Sequence, residues 1–222
     1  MPTERADPEG SPLVIEIVGP PGTGKSTLLA SLVEGRAHVV GNPRIRELTT
    51  RPVIARVALA SLATLVRRRA LMGRWGREQV RTMTNISLWP RLVPGPDAAA
   101  RLYAFDQGPI FFLTRPILMT GRLTRWWTVA VTSCAAMLDA VVELDAPDSV
   151  LLERIEGREK AHRLKGVPLD DAVENLAGVR RVYADFVAEL GRRPHGPRVL
   201  RFDTSTQTPD EIARDVLARL SV

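Results

Sequence analysis

The stretch Gly19-Pro20-Pro21-Gly22-Thr23-Gly24-Lys25-Ser26-Thr27 follows directly on an apolar, β-branched run, Leu13–Val18 (LVIEIV). Its first eight residues fit G-x-x-x-x-G-K-[ST] in full. The glycines let a backbone bend around phosphate oxygens with its N–H groups turned inward, and the helix that the motif opens adds partial positive charge. In this pattern Lys25 reaches the β- and γ-phosphates, and the Ser26 hydroxyl ligates magnesium. The required context is present: a strand precedes the motif, and a helical pattern over residues 26–34, stopped by Gly35, follows it.

Outward from this unit, strand and helix patterns alternate. Short strands are expected at residues 38–40, 100–105, 140–144 and 198–202. Helical patterns occupy residues 52–72, 77–92, 109–120, 122–138, 149–156, 169–190 and 209–220. Such alternation implies right-handed crossovers and a parallel sheet covered on both faces, an α/β doubly wound fold. Ligands of such sheets bind beyond the carboxyl ends of the strands, where Gly19, Asn42, Asp106, Asp145 and Asp203 fall. Residues 1–11 read as a disordered tail and 12–222 as one domain, with a variable helical region at about 49–96 and a lid at about 157–167.

A chain of 222 residues buries enough surface to need no staple. The single cysteine, Cys134, excludes a disulfide framework and a Cys-rich zinc site. His38, His162 and His195 are too far apart in sequence for ligand spacing. The N-terminus lacks a basic-then-apolar leader, and the longest apolar stretch, residues 126–144, is broken by Thr128, Thr132, Ser133 and Asp139. A cytoplasmic protein without stable membrane insertion is expected. The net charge of +6 favours anionic partners, and only Lys25, Lys160 and Lys165 among the 31 basic residues are lysines. Arginine suits forked phosphate recognition, and an arginine bias equally reflects a GC-rich genome. No aromatic-interleaved basic stripe is present, so no specific nucleic-acid partner is expected.

Three features narrow the chemistry. Asp106, in Phe105-Asp106-Gln107-Gly108-Pro109, ends the third strand facing the phosphate loop. It can hold magnesium through water, accept a proton from an acceptor hydroxyl, or cap the helix that starts at Pro109. Arg154, Arg158, Lys160, Arg163 and Lys165 crowd one segment, which is either a mobile flap that neutralises a transferring phosphoryl group or a solvated loop. Asp203-Thr204-Ser205 lies beside the phosphate loop, either near a nucleotide base or as the turn of a helix capped by Thr208 or Ser205.

GPPGTGKST at 19–27, FDQGP at 105–109, VVELDAPDSVLLERIEGRE at 141–159 and VLRFDTS at 199–205 together resemble the phosphate-loop nucleoside and nucleotide kinases, the thymidylate kinase-like branch in particular. The resemblance implies a five-stranded sheet of order 2-3-1-4-5, ATP and Mg2+, and transfer of the γ-phosphoryl group to a small acceptor. It implies that Gly19, Pro20, Pro21, Gly22, Thr23, Gly24, Lys25, Ser26 and Thr27 bind the nucleotide, with Arg154 and Arg158 near its base or phosphates and Thr204 and Ser205 beside it. Lys25, Asp106, Arg158 and Arg163 form the expected catalytic set, Ser26 and Asp106 the metal side, and Arg163 with Lys165 the lid. In such kinases the helices after the second strand form the acceptor side. Here Arg44, Arg46, Arg51, Arg56, Arg67, Arg68, Arg69, Arg74, Trp75 and Arg77 populate it, either holding an anionic acceptor or facing solvent. Trp75, Trp89, Trp126 and Trp127 either stack a base or sugar or pack in the core, and residues 52–72 offer a basic amphipathic face to a membrane surface as an alternative. Thymidylate kinases resemble one another in an Arg where Gln107 stands and an acidic residue with Pro where Asn42-Pro43 stands, so an acceptor other than thymidylate is expected. The alternatives are a specialised-metabolite kinase and a nucleotide-binding regulatory or assembly protein acting on a protein or polymer. A second copy of the chain is the one protein partner entertained for the kinase.

Overall fold

The computed structural model describes residues 12–42, 51–67, 80–85, 87–88, 99–120, 131–132, 134–159 and 161–222. The expectations for residues 1–11 and for Arg44, Arg46, Arg68, Arg69, Arg74, Trp75, Arg77, Trp89, Trp126, Trp127 and Lys160 lie outside them. Five strands, β1 (Leu13–Val18), β2 (Val39–Gly41), β3 (Leu102–Phe105), β4 (Ala140–Asp145) and β5 (Arg198–Asp203), form one sheet of order β2-β3-β1-β4-β5. Every pairing is parallel. The helices bounded within the described residues are α1 (Lys25–Val33), α2 (Arg51–Arg67), α3 (Pro109–Thr120), α4 (Asp148–Glu156), α5 (Leu169–Gly191) and α6 (Pro209–Leu220), and helical turns also lie at 80–85, 87–88, 131–132 and 134–135. This is the α/β doubly wound fold and strand order expected from the sequence.

Burial on both faces explains why the strands read as nearly unbroken apolar runs. Val14, Val18, Tyr103, Phe105 and Val141 point to one side, against Ile110 and Leu113 of α3 and Val179, Tyr183, Phe186 and Leu190 of α5. Ile15, Ile17, Leu102, Val142 and Leu144 point to the other, against Leu28 and Leu32 of α1 and Ile212, Val216 and Leu220 of α6. Helix α6 begins with a complete capping box, in which Thr208 accepts from the Glu211 amide and the Glu211 carboxylate accepts from that of Thr208. Within the described residues the strand boundaries fall within two residues of expectation, and one helix boundary differs by more. The helical pattern expected to run to Leu138 closes earlier, in a turn at residues 136–137 with the Met137 and Leu138 amides both donating to the Cys134 carbonyl. The early stop frees Asp139 to accept from the Val14 amide at 2.7 Å and to extend the β1–β4 seam. Among the described residues no helix is long and apolar enough to cross a membrane.

Strand β1 carries one charged residue, and it faces the α3 side. Glu16 is fully buried, and burial pushes its carboxyl up from the ordinary value of 4.5 to about 8. Hydrogen bonds from the amides of Phe111, Ile110 and Gly108 oppose that rise, and the negative charge of Asp106 adds to it. Between pH 4.5 and 8 the folded protein therefore holds a proton that the unfolded chain releases. This contribution to stability is complete below the lower value and is lost as pH rises through the upper one. Melting curves are expected to show the wild-type Tm falling between pH 5 and 8 by on the order of 5–10 °C more than that of Glu16→Gln. Parallel profiles for the two proteins would remove the assignment.

Candidate functional site

The carboxyl ends of β1, β3, β4 and β5 meet around the loop between β1 and α1. Gly19 leaves β1 at φ 145°, and a Cβ there would collide with the Leu144 carbonyl oxygen of β4. Only glycine allows the loop to start this close to the neighbouring strand. Thr23 donates to the Pro20 carbonyl at 3.0 Å and closes the loop internally. Helix α1 then starts at Lys25 with no side-chain cap and no acidic residue in its first turn. Its leading amides therefore have no partner within the helix and suit an anion.

The half-buried Lys25 donates its ammonium to the carbonyls of Gly19 and Pro20, each at 2.8 Å. Desolvation pulls it down to about 8; the Asp106 carboxylate opposes the shift, and the Arg158 guanidinium adds to it. Ser26 donates to Asp106 Oδ2 at 2.6 Å, so the two residues expected to face a metal do meet. The other carboxylate oxygen accepts from Asn42 Nδ2 at 2.5 Å, while Asn42 Oδ1 accepts from the Asp106 amide at 3.0 Å. Asn42 adopts φ 42°, a left-handed conformation that Asn tolerates better than most residues. Asp106 does not cap α3: Glu16 takes the Ile110 and Phe111 amides there. A hydroxyl beside a carboxylate is a hard oxygen set that fits magnesium. No cluster of three His, Cys, Asp or Glu side chains among the described residues offers a cage. A cation at this point would take its remaining ligands from phosphate and water.

Beside the loop opens a cleft of about 520 Å³. Gly22, Thr23, Gly24 and Thr27 form one wall, Arg154 and Arg158 another, and residues 204–209 with Ile212 the far side. Arg154 spans the cleft, donating to Thr204 Oγ1 at 2.9 Å, the Thr204 carbonyl at 2.7 Å and the Gly22 carbonyl at 3.5 Å. Ser205 gives its amide and hydroxyl to Asp203, which holds that carboxylate below its usual range. The 203–208 turn is thus both a wall of the cleft and the lead-in to the Thr208 cap.

The cationic segment is folded down rather than free-standing. Leu164 is buried with Leu151, Ile155 and Leu176, and the Gly166 amide donates to Glu156. With that leucine as the anchor, Arg163 turns onto α5 to bond Asn175 at 3.0 Å, and Lys165 donates to the Arg158 carbonyl. Arg154 and Arg158 line the cleft; Arg163 and Lys165 do not.

Three residues that sequence reasoning did not assign support the site. Asn42 was noted as a departure, and its bracket on Asp106 had no sequence signature. Glu16 had one, a lone charge in an apolar parallel strand. Arg180 had none: from α5 it reaches both Asp145 oxygens at 3.0 Å, Asp148 at 2.5 Å and the Ala146 carbonyl at 2.8 Å. This clamp fixes the β4–α4 turn, so Asp145 serves the scaffold.

A family model described as an AAA domain, AAA_33, matches residues 14–182. The chain belongs to that family. The match runs from β1 into α5 and includes the phosphate loop, Asp106, Arg154 and Arg158, so this is a phosphate-loop, nucleotide-binding, kinase-like domain. The 203–208 wall of the cleft lies beyond the matched residues. No curated protein matches the chain.

Proposed function

We propose that the protein is an ATP-dependent kinase that transfers the γ-phosphoryl group to a small nucleoside-like, nucleotide-like or specialised-metabolite acceptor in the cytoplasm. The observation that carries the reading is the 2.6 Å approach of Ser26 to Asp106 at the head of a phosphate loop whose lysine lies along the loop on the Gly19 and Pro20 carbonyls. In the reaction the loop amides hold the phosphates, and the Lys25 ammonium exchanges the Gly19 and Pro20 carbonyls for phosphate oxygens. Arg154 and Arg158 grip the nucleotide from α4. The acceptor oxygen forms a bond to the γ-phosphorus as the bond to the β–γ bridging oxygen breaks, and the hydroxyl proton passes to Asp106 or to water. Magnesium held by Ser26 and Asp106 would draw charge from the phosphate oxygens. Positioning and charge neutralisation are sufficient for such a transfer.

The motifs resemble those of the thymidylate kinase-like branch, but Gln107 and Asn42 argue against thymidylate as acceptor. A second reading, a nucleotide-binding regulatory or assembly ATPase, draws support from Asp106, whose two oxygens are already engaged by Ser26 and Asn42. ATP turnover measured alone and with a panel of nucleosides, nucleoside monophosphates and sugars separates the two. Strong stimulation by one acceptor, with the phosphorylated product detected by mass spectrometry, is the expected result. A flat response across the panel with stimulation by a protein partner would replace the kinase reading.

A further inference from the structure

Glu16 lies in β1, three residues before the phosphate loop, with no exposed surface. Its carboxyl oxygens accept from the first turn of α3, Oε2 from the Ile110 amide at 2.7 Å and Oε1 from the Phe111 amide at 2.8 Å. Between Asp106 and that turn stands Gly108, where a Cβ would lie 2.8 Å from both Cδ and Oε2 of Glu16. A glycine there lets the carboxyl approach this closely. One side chain therefore ties the strand that leads into Ser26 to the turn that carries Asp106, and the Ser26–Asp106 hydrogen bond closes the same circuit at the surface. Ordinary helix capping does not require this arrangement. Helices α4 and α5 begin without a side-chain cap, and α6 is capped by its own Thr208. Burying a carboxyl group in a dry sheet is costly unless it is hydrogen-bonded, and here the two amides that offset the cost belong to the turn after Asp106.

We infer that Glu16 is a positioning residue that sets the spacing of Ser26 and Asp106 and thereby the grip on the divalent cation that accompanies the nucleotide. The inference rests on the reading of Ser26 and Asp106 as the magnesium side of the site. In Glu16→Gln one oxygen still accepts from one amide while the new NH2 faces the other amide, donor against donor. Gly108→Ala disturbs the same contact from the opposite side with Glu16 intact, so the inference is testable even if the first variant does not fold.

The experiment is equilibrium binding of a fluorescently labelled, non-hydrolysable ATP analogue to full-length wild type, Glu16→Gln, Gly108→Ala and the double variant, in EDTA and in magnesium, with circular dichroism as the check of folding. In EDTA all are expected to bind within about twofold of one another, while the tightening that magnesium gives the wild type shrinks by about tenfold in each variant, the usual scale for a group that orients a metal ligand. The double variant should be no worse than the singles, because both act on one contact. Undiminished magnesium tightening in folded variants overturns the inference, as does a parallel loss in EDTA and in magnesium, which marks a merely structural role. A wild type that binds the analogue without any magnesium effect overturns both the inference and the reading beneath it.

Discussion

Lys25→Ala is expected to lower ATP turnover by on the order of 10²–10³-fold while leaving the fold intact. The ammonium is the positive charge that this scaffold carries at the loop itself, and its contacts are now with the loop's own Gly19 and Pro20 carbonyls. A triphosphate offers a better partner than two neutral carbonyls, because the ammonium then meets full negative charges instead of the partial charges of two carbonyl dipoles. Losing the side chain removes a desolvated cation from the folded state, so Tm should hardly move and nucleotide affinity should fall. Steady-state turnover, a binding isotherm and a melting curve together test this. Near-normal turnover in a folded variant would end the assignment of Lys25.

Gly19→Ala should act in the opposite way, on the fold first. The new methyl group would meet the Leu144 carbonyl, which is backbone of the adjacent β4 and cannot swing aside, at a φ that side chains disfavour. Either the β1–β4 pairing opens or the loop leaves its path. The expected loss is ~3 kcal/mol or more, a fall in Tm of about 6–12 °C, with nucleotide binding lost even at temperatures where the chain stays folded. Gly178→Ala in α5 is the control. Apart from its chain neighbours and the backbone of its own helix, no atom lies within 4 Å of the added carbon, and a helix gains about 0.5–1 kcal/mol from this exchange. Equal behaviour of the two variants would show that the close approach at Gly19 does not matter.

The parts of the protein legible in the sequence were those governed by short-range rules. The G-x-x-x-x-G-K-S pattern, the Pro209-Asp210-Glu211 helix start and the apolar strands of a doubly covered sheet each follow from local geometry or from burial on both faces. Asp106 is legible at the strand end, but its side-chain partners, Ser26 and Asn42, stand 80 and 64 residues away in the sequence and leave no local signature. Arg180 illustrates the limit best. In sequence it is one of two adjacent arginines on a long amphipathic helix, and only the packing of α5 against the end of β4 turns it into a clamp. The cationic segment shows the same limit. Its charges suggest a flap, and the contact that seats it in this structure, Leu164 against Leu151, Ile155 and Leu176, is made with residues its own sequence does not point to.

A single guanidinium, that of Arg154, touches both the Thr204 turn and the Gly22 carbonyl, so the position of the turn is coupled to the phosphate loop. If the base of the proposed nucleotide lies against that turn, a purine or pyrimidine that pushes it outward also loosens the grip on the phosphates. Discrimination between nucleobases should therefore surface as a change in catalytic rate as well as in occupancy, although no side chain of the wall need touch the transferred group.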